Sequence, residues 1–385
     1  MSRLPAFSLP RARPLLGAMA LLAGAQAAQA EITHEAITTD AATFSIERVA
    51  DGLTRPWAVA FLPDGRYLVS ERRGTLNLVT PEGQITPLSG MPEVSGQGQG
   101  GLLDVVLHPD FGDGEHDWIY FTWSKPDAGG TRAALSRVRF ENDALGEVEE
   151  LFEQDRASGP GRHYGSRLAW LGDGTLMMSV GDRGSDPSRA QARDDHAGST
   201  LRLTETGGVP ADNPFVDDAD TLDEIYSLGN RNIQGMAVRG NGQIWVSEHG
   251  PRTGDELNLI EPGANYGWPE VTLGNDYATN EPIGADSMPG MVDPKVDLDG
   301  RFAPSGLAEV SGERFSNWQG NLLAGGLASE KLARFVIDGE EVVESEVVLQ
   351  GEVGRIRDVR EGPDGGIYLL TDSDQGGLYR LMPVE

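Results

Sequence analysis

The sequence predicts an all-β fold, a six-bladed β-propeller with four-stranded antiparallel blades, and three observations carry that prediction. Short apolar runs joined by Asp-Gly or Asn-Gly turns recur along the 385 residues. Glycine is abundant, at 51 residues, and helical periodicity is nearly absent after residue 30. Imperfect recurrence of one hairpin is the mark of a repeat architecture, in which each unit buries its faces on its neighbours. Dividing the chain beyond residue 30 by six gives units of about 55–60 residues, longer than a lean blade of ~40–45. The extra length belongs in loops on one face, the natural place for a site. Six is an inference from length, and seven or eight lean blades stay open. A large sandwich explains the repeated hairpins less well.

Residues 1–30 carry Arg3, Arg11 and Arg13, then an apolar stretch from Leu15 to Ala25, then Ala28-Gln29-Ala30. That order is a charged n-region, an h-region and a small-residue cleavage site. A signal peptide is expected, cleaved after Ala30, with the mature chain periplasmic or secreted. The apolar stretch is too short to span a bilayer and no later one is longer, so stable membrane insertion is not expected. One catalytic domain is expected over 31–385, since no linker divides it. Residues 31–50 read as an extended lead-in. Hairpin turns follow at Pro63-Asp64-Gly65, Gly172-Asp173-Gly174, Gly240-Asn241-Gly242 and Pro363-Asp364-Gly365, each between apolar runs. Such turns need positive φ, which is why Gly follows Asp or Asn. Weaker relatives stand at Thr80–Gly83 and Ile337–Gly339. The segments 185–223 and 270–303 are rich in Asp, Gly and Pro and read as long ordered loops.

The net charge of -29 makes nucleic acid and anionic membranes poor partners. There is no cysteine, which excludes disulfides, thiolate metal sites, cysteine nucleophiles and a C-x-x-C-H haem site. No G-x-G-x-x-G lies between a strand and a helix, so a Rossmann dehydrogenase is excluded as well. Monomer and dimer are both compatible with the composition.

Chemistry concentrates in two stretches. Gly229-Asn-Arg-Asn-Ile-Gln234 follows the apolar run Ile225–Leu228, and Glu248-His-Gly-Pro-Arg-Thr-Gly-Asp-Glu256 follows Ile244–Val246. Strand ends that deliver Arg231, Asn232, His249 and carboxylates to one place suit a cofactor or metal pocket. His163 sits in a glycine-rich turn before a strand and has the chemistry of a general base near neutral pH, although a lone histidine is more often structural. Arg231 suits stabilisation of developing negative charge, or equally an ion pair with Glu224. Arg355 and Arg357 lie two apart in a strand-like run and so share a face, as a bidentate clamp for carboxylates would require. Asp182 and Arg183 read as a blade-fixing ion pair, and Asp255 as readily a solvated charge as a ligand.

Motifs along most of the chain carry a family resemblance. They include L-T-R-P-W-A-V-A-F-L-P-D-G (53–65), G-Q-G-G-L-L-D-V-V-L-H-P-D-F (98–111) and R-H-Y-G-S-R-L (162–168). Further ones are G-D-R-G (181–184), D-N-P-F (212–215), G-N-R-N-I-Q-G (229–235) and E-H-G-P-R-T-G-D-E-L-N (248–258). N-Y-G-W-P (265–269), A-P-S-G (303–306) and R-I-R-D-V (355–359) complete the series. In number and order they resemble the soluble, pyrroloquinoline-quinone (PQQ)-dependent aldose dehydrogenases, the glucose/sorbosone dehydrogenase family, from about Leu53 to Leu381.

The resemblance implies a six-bladed propeller with PQQ, Ca²⁺ and sugar at one mouth of the channel. It implies an oxidoreductase that converts the anomeric C1 hydroxyl of an aldose sugar to the lactone and passes electrons to an external acceptor. His163 matches the catalytic base, which takes the hydroxyl proton as hydride passes to the quinone. Gln99, Arg231, Asn232, His249, Tyr277, Arg355 and Arg357 match cofactor-contacting positions, Arg231 also as a catalytic residue. The carbonyls of Gly250 and Pro251 match the donors to a catalytic Ca²⁺, and Glu256 with the Tyr266 carbonyl a structural one, all hard oxygen donors. The chain departs from the family pattern at Asn230, where histidine is usual, and at His249, where some relatives have glutamine. Whether a lysine completes the cofactor site is left open, Lys331 standing a few residues late. Two other readings share the architecture: a Ca²⁺-dependent sugar-lactone hydrolase, which needs side-chain carboxylates converging on an ion in the channel, and a non-catalytic binding propeller.

Overall fold

The computed structural model describes residues 31–384 apart from Asp299, so the expected signal peptide lies outside the described residues. Six antiparallel sheets stand around a central channel, five of four strands and one of five. This is the predicted six-bladed propeller. The inner strands are Pro56–Phe61, Leu102–Leu107, Leu168–Trp170, Ile233–Val238, Pro304–Glu309 and Ile356–Glu361, each packed beside the next. The four Asp-Gly and Asn-Gly turns join the first and second strands of four blades, and Gly65, Gly174, Gly242 and Gly365 all adopt positive φ.

The lead-in is not a free extension. Glu31–Thr38 and Thr43–Leu53 are the two outer strands of the sixth blade, and Thr43–Leu53 pairs with the C-terminal strand Gly376–Pro383. The ring is thereby closed by hydrogen bonds between the two ends of the described chain. Two expected loops also contain strands. Ser199–Leu203 lies within 185–223 as the third strand of the third blade, and Val296–Leu298 lies within 270–303 as the outer strand of the fourth.

The hydrophobic core is divided into six clusters, each between neighbouring blades. Leu68 belongs to the cluster between the first and second blades, whereas Val69, the next residue, belongs to that between the sixth and first. Both faces of the middle strands are therefore buried, which is why they read as continuous apolar runs rather than clean alternation. Each such side chain contributes about 1.5–3 kcal/mol on burial. At the channel axis the packing turns polar. Asp104, Arg167 and Asp358 are fully buried, with Arg167 Nη1 2.8 Å from Asp358 Oδ1 and Arg360 Nη2 2.7 Å from Asp104 Oδ1. The box ties together the second, third and sixth blades.

Candidate active site

Gln99, His163, Arg231, Asn232 and Arg355 lie just before inner strands, and His249, Gly250 and Pro251 follow the second strand of the fourth blade, so one mouth of the channel collects them. A cavity of about 360 Å³ opens there, lined by Gln99, Asn232, His249, Arg355 and Arg357 together with Arg55, Arg72, Trp57, Gln234 and Asp372. Its charge is unusual. Four guanidiniums face one lining carboxylate, Asp372, whose Oδ2 is 3.0 Å from Arg355 Nη2 and 3.8 Å from Arg357 Nη2. Burial pushes Arg357 down to about 10, and Arg72 is lowered for the same reason. The buried Nε atoms of Arg72 and Arg357 have no hydrogen-bond partner among the described residues. Surplus positive charge and unpaired donors in a closed space fit a polyanionic ligand of cofactor size. Arg55 and Arg72 add two guanidiniums to the Arg355–Arg357 pair.

His163 stands beside this cavity, one residue before the lining residues Tyr164 and Gly165. Its backbone is in the left-handed region at φ 51°, an arrangement that costs about 1–2 kcal/mol for a residue with a Cβ. The turn is fixed from both sides: His163 N–H donates to Gln99 Oε1 at 2.7 Å, and the His163 carbonyl accepts from Arg183 Nη1 at 3.1 Å. The imidazole Nδ1 is 2.7 Å from Asp182 Oδ1, and Trp268 Nε1–H donates to Asp182 Oδ2 at 2.8 Å. Asp182 also accepts from the Gly184 amide at 2.7 Å. Burial works against its ionisation, but the hydrogen bond from His163 and the charge of Arg231 hold its pKa below the ordinary carboxylate value. An ionised carboxylate only accepts, so the Nδ1 proton is fixed toward Asp182 and the Nε2 lone pair is left for a substrate. Burial is also the main cause of a lowered His163 pKa, reinforced by Arg231, so the ring is neutral at neutral pH. This is the protonation state a general base needs.

The expected Asp182–Arg183 ion pair does not form. Adjacent residues in this turn diverge, and Arg183 lies over the Tyr164 ring with Cζ 3.6 Å from its centroid while donating to the carbonyls of Arg162 and His163. Arg231 likewise does not meet Glu224, which is occupied by His196. Its Nη1 donates to the carbonyls of His249 at 3.1 Å and Gly250 at 2.7 Å, and its own carbonyl accepts from Asp182 N–H at 2.8 Å. The base and the arginine are thus coupled through one backbone bond. Asn232 Oδ1 accepts from Gly165 N–H at 3.1 Å. His249 is held neutral, pushed down to about 3 by burial and by Arg231 and Arg357. Tyr277 is set apart: it is 59% exposed and does not line the cavity.

A second, smaller cavity of about 10 Å³ lies behind Arg231, lined by Glu248, Gly250, Glu256 and Tyr266 among others. That is room for one water-sized sphere. Glu248 accepts from Arg231 N–H and from Asn230 Nδ2, the latter at 2.7 Å. Burial, then the charge of Glu248, pushes Glu256 up to about 8. Asp255 is buried rather than solvated; its carboxylate braces Gly250 N–H at 3.0 Å and Ala303 N–H at 2.7 Å. The acceptor oxygens of Asn230 and Asn258 are buried without a partner. Carboxylates raised chiefly by burial, Glu256 also by the charge of Glu248, beside orphaned oxygen acceptors, fit a hard divalent cation. The Gly250 carbonyl, facing the Arg231 guanidinium, is also a donor that turns toward positive charge. A Cβ on Gly250 would strike the carbonyls of Thr253 and Gly254, so this turn requires glycine. The histidine cluster His108–Asp110–His116 is unrelated, lying at the opposite end of its inner strand with its imidazole rings stacked 4.8 Å apart.

Sequence reasoning missed Arg55, Arg72, Trp57, Gln234 and Asp372, and read Asp182 as the partner of Arg183 rather than of His163. Arg55, Trp57, Asp182 and Gln234 stand inside motifs already singled out, and that was the available signal.

The fold and site define a propeller that sets a neutral, carboxylate-oriented histidine beside an arginine-rich cavity and a buried carboxylate cluster. The family model for Glucose / Sorbosone dehydrogenase matches residues 53–380. The aldose sugar dehydrogenase YliI of Escherichia coli is 37% identical over 348 residues, covering 89% of this chain and 94% of that one. The crystal structure of the soluble aldose sugar dehydrogenase from Escherichia coli in its apo-form superposes with a TM-score of 0.84 at 37% identity, covering 89% and 100% of the two chains. The PQQ-bound aldose sugar dehydrogenase from Streptomyces coelicolor gives 0.73 at 30% identity, covering 88% and 99%. The chain belongs to the glucose/sorbosone dehydrogenase family of PQQ-dependent β-propeller oxidoreductases.

Proposed function

We propose that this chain oxidises the anomeric C1 hydroxyl of aldose sugars to the lactone, with PQQ and Ca²⁺ bound at the mouth of the channel and an external acceptor taking the electrons. The observation that carries the reading is the His163–Asp182 pair beside a cavity lined by four guanidiniums. Arg72, Arg355 and Arg357 would hold the carboxylates of the quinone, with Gln99 and Asn232 orienting it. The carbonyls of Gly250 and Pro251 would hold the catalytic Ca²⁺, and Glu256 with the Tyr266 carbonyl the second cation. When bound, the quinone supplies the two-electron acceptor for the C1 hydrogen.

The chain's own residues do the rest. His163 Nε2 accepts the proton of the C1 hydroxyl, and Asp182 stabilises the imidazolium that results through Nδ1–H. Arg231, which lines the smaller cavity and is followed by Asn232 in the lining of the larger, would offset negative charge as it develops. Export by residues 1–30 would put this chemistry in the periplasm or outside the cell, with 31–385 as one catalytic domain.

The test is activity of the metal-stripped protein on a panel of aldoses with an artificial electron acceptor, PQQ and Ca²⁺ being added separately and together. Activity that requires both and collapses in His163→Ala is the expected result. Lactone hydrolysis on Ca²⁺ alone, with no oxidation of any sugar, would replace this reading with the hydrolase.

A further inference from the structure

We infer that Gln234, the last residue of the G-N-R-N-I-Q stretch, is a positioning residue that braces Arg357, the Arg231–Asn232 segment and the His163 turn in one register. The inference rests on the proposed function for its consequence, but the brace itself is a matter of geometry. Gln234 is buried, at 8% exposure, and both ends of its amide are committed. Its Oε1 accepts from Arg357 Nη1 at 3.0 Å, and its Nε2 donates to the Gly165 carbonyl at 3.0 Å. The Gly165 amide in turn donates to Asn232 Oδ1 at 3.1 Å. The Gln234 carbonyl accepts from Arg167 Nε at 2.8 Å, which roots the assembly in the charged box at the channel axis. One side chain therefore joins the inner-strand entrances of the third, fourth and sixth blades.

The residue type matters. Arg357 has a distant carboxylate, Asp372 at 3.8 Å, and an unpartnered Nε, so the Gln234 oxygen is its short side-chain contact. A neutral amide can fix a guanidinium without cancelling its charge. A glutamate there would pair with Arg357 and withdraw positive charge from the cavity. Trp57, with Arg167 Cζ 4.3 Å and Arg357 Cζ 5.9 Å from its ring centroid, fills the space between the two arginines and reports on this floor by its fluorescence.

The test uses the full mature chain with Gln234→Leu and, as a second variant of similar length, Gln234→Met. Hydrogen exchange across residues 163–167 is measured without cofactor, and PQQ affinity by tryptophan quenching with Ca²⁺ present. Loss of both amide bonds is expected to speed exchange across 163–167 by about tenfold or more. It is also expected to weaken PQQ binding by about tenfold while melting and exchange in Ile367–Thr371 stay unchanged. In the loaded variants kcat falls more than KM rises, since the base is displaced rather than the sugar pocket emptied. Unaltered exchange across 163–167 in either folded variant overturns the brace. Exchange that rises everywhere with a lowered melting temperature also overturns it, assigning Gln234 a purely structural role. Failure of the wild-type chain to bind PQQ would overturn the proposed function instead, and the exchange measurement would still decide the brace.

Discussion

In the proposed reaction, His163 and Asp182 form the unit on which the chemistry turns. Replacing Asp182 with Asn substitutes an amide that can present N–H to Nδ1, which frees the wrong tautomer. We expect Asp182→Asn to lower kcat by about 10²-fold or more with little change in KM, read from steady-state kinetics. Because burial and Arg231 lower the His163 pKa, the acid limb of kcat/KM should fall below pH 6.5 and not above it. A limb centred above that value would contradict the assigned environment. His163 was legible as a turn histidine before a strand, but its partner was not. In sequence Asp182 sits against Arg183 and the two look like a pair; in the folded turn they diverge, one to the imidazole and one to the Tyr164 face. Arg55 stood inside a motif, but nothing local says that it meets Asp372 at 3.4 Å across the channel mouth, or that Arg72 lines the same cavity.

At the scale of elements, the hairpins were legible because their turns require positive φ, and local chemistry reports that directly. Ser199–Leu203 was not, because a strand buried on both faces shows no alternation and its flanks are loop-like. His196, in the loop before it, illustrates a long-range device. Burial alone would lower its pKa, but Asp155 Oδ1 at 3.1 Å and Glu224 Oε2 at 3.7 Å raise it above the ordinary value. A histidine raised on folding adds stability that is fully present below about pH 6.5 and lost as pH rises through the folded value. The difference in melting temperature between wild type and His196→Gln should therefore be largest near pH 6 and shrink toward pH 9. The carboxylate cluster behind Arg231 makes a second prediction. Adding Ca²⁺ to metal-stripped protein should raise the melting temperature, and Glu256→Gln should blunt that rise; an identical response in the variant would remove Glu256 from the site.

The whole molecule is held by closure and by a charged axis. Thr43–Leu53 pairs with Gly376–Pro383 across more than three hundred residues, a contact that no local pattern announces. The number of blades was legible from length and hairpins, whereas the closure was not. At the axis, removing one partner of a buried ion pair leaves the other charge stranded, so Asp358→Ala should cost about 3–5 kcal/mol in denaturant unfolding. The same box bears on function. Asp104 and Asp358, buried at the axis, are both paired with Arg167 and Arg360 rather than left to converge on an ion as a lactone hydrolase would need. The central claim, removal of the C1 hydrogen with His163 as base, is tested most directly by single-turnover reduction of the PQQ- and Ca²⁺-loaded enzyme with ordinary and C1-deuterated aldose. A primary isotope effect in the wild type, with a much slower transient in His163→Ala, is the predicted result. Equal rates for the two sugars, or a transient untouched by His163→Ala, would contradict it.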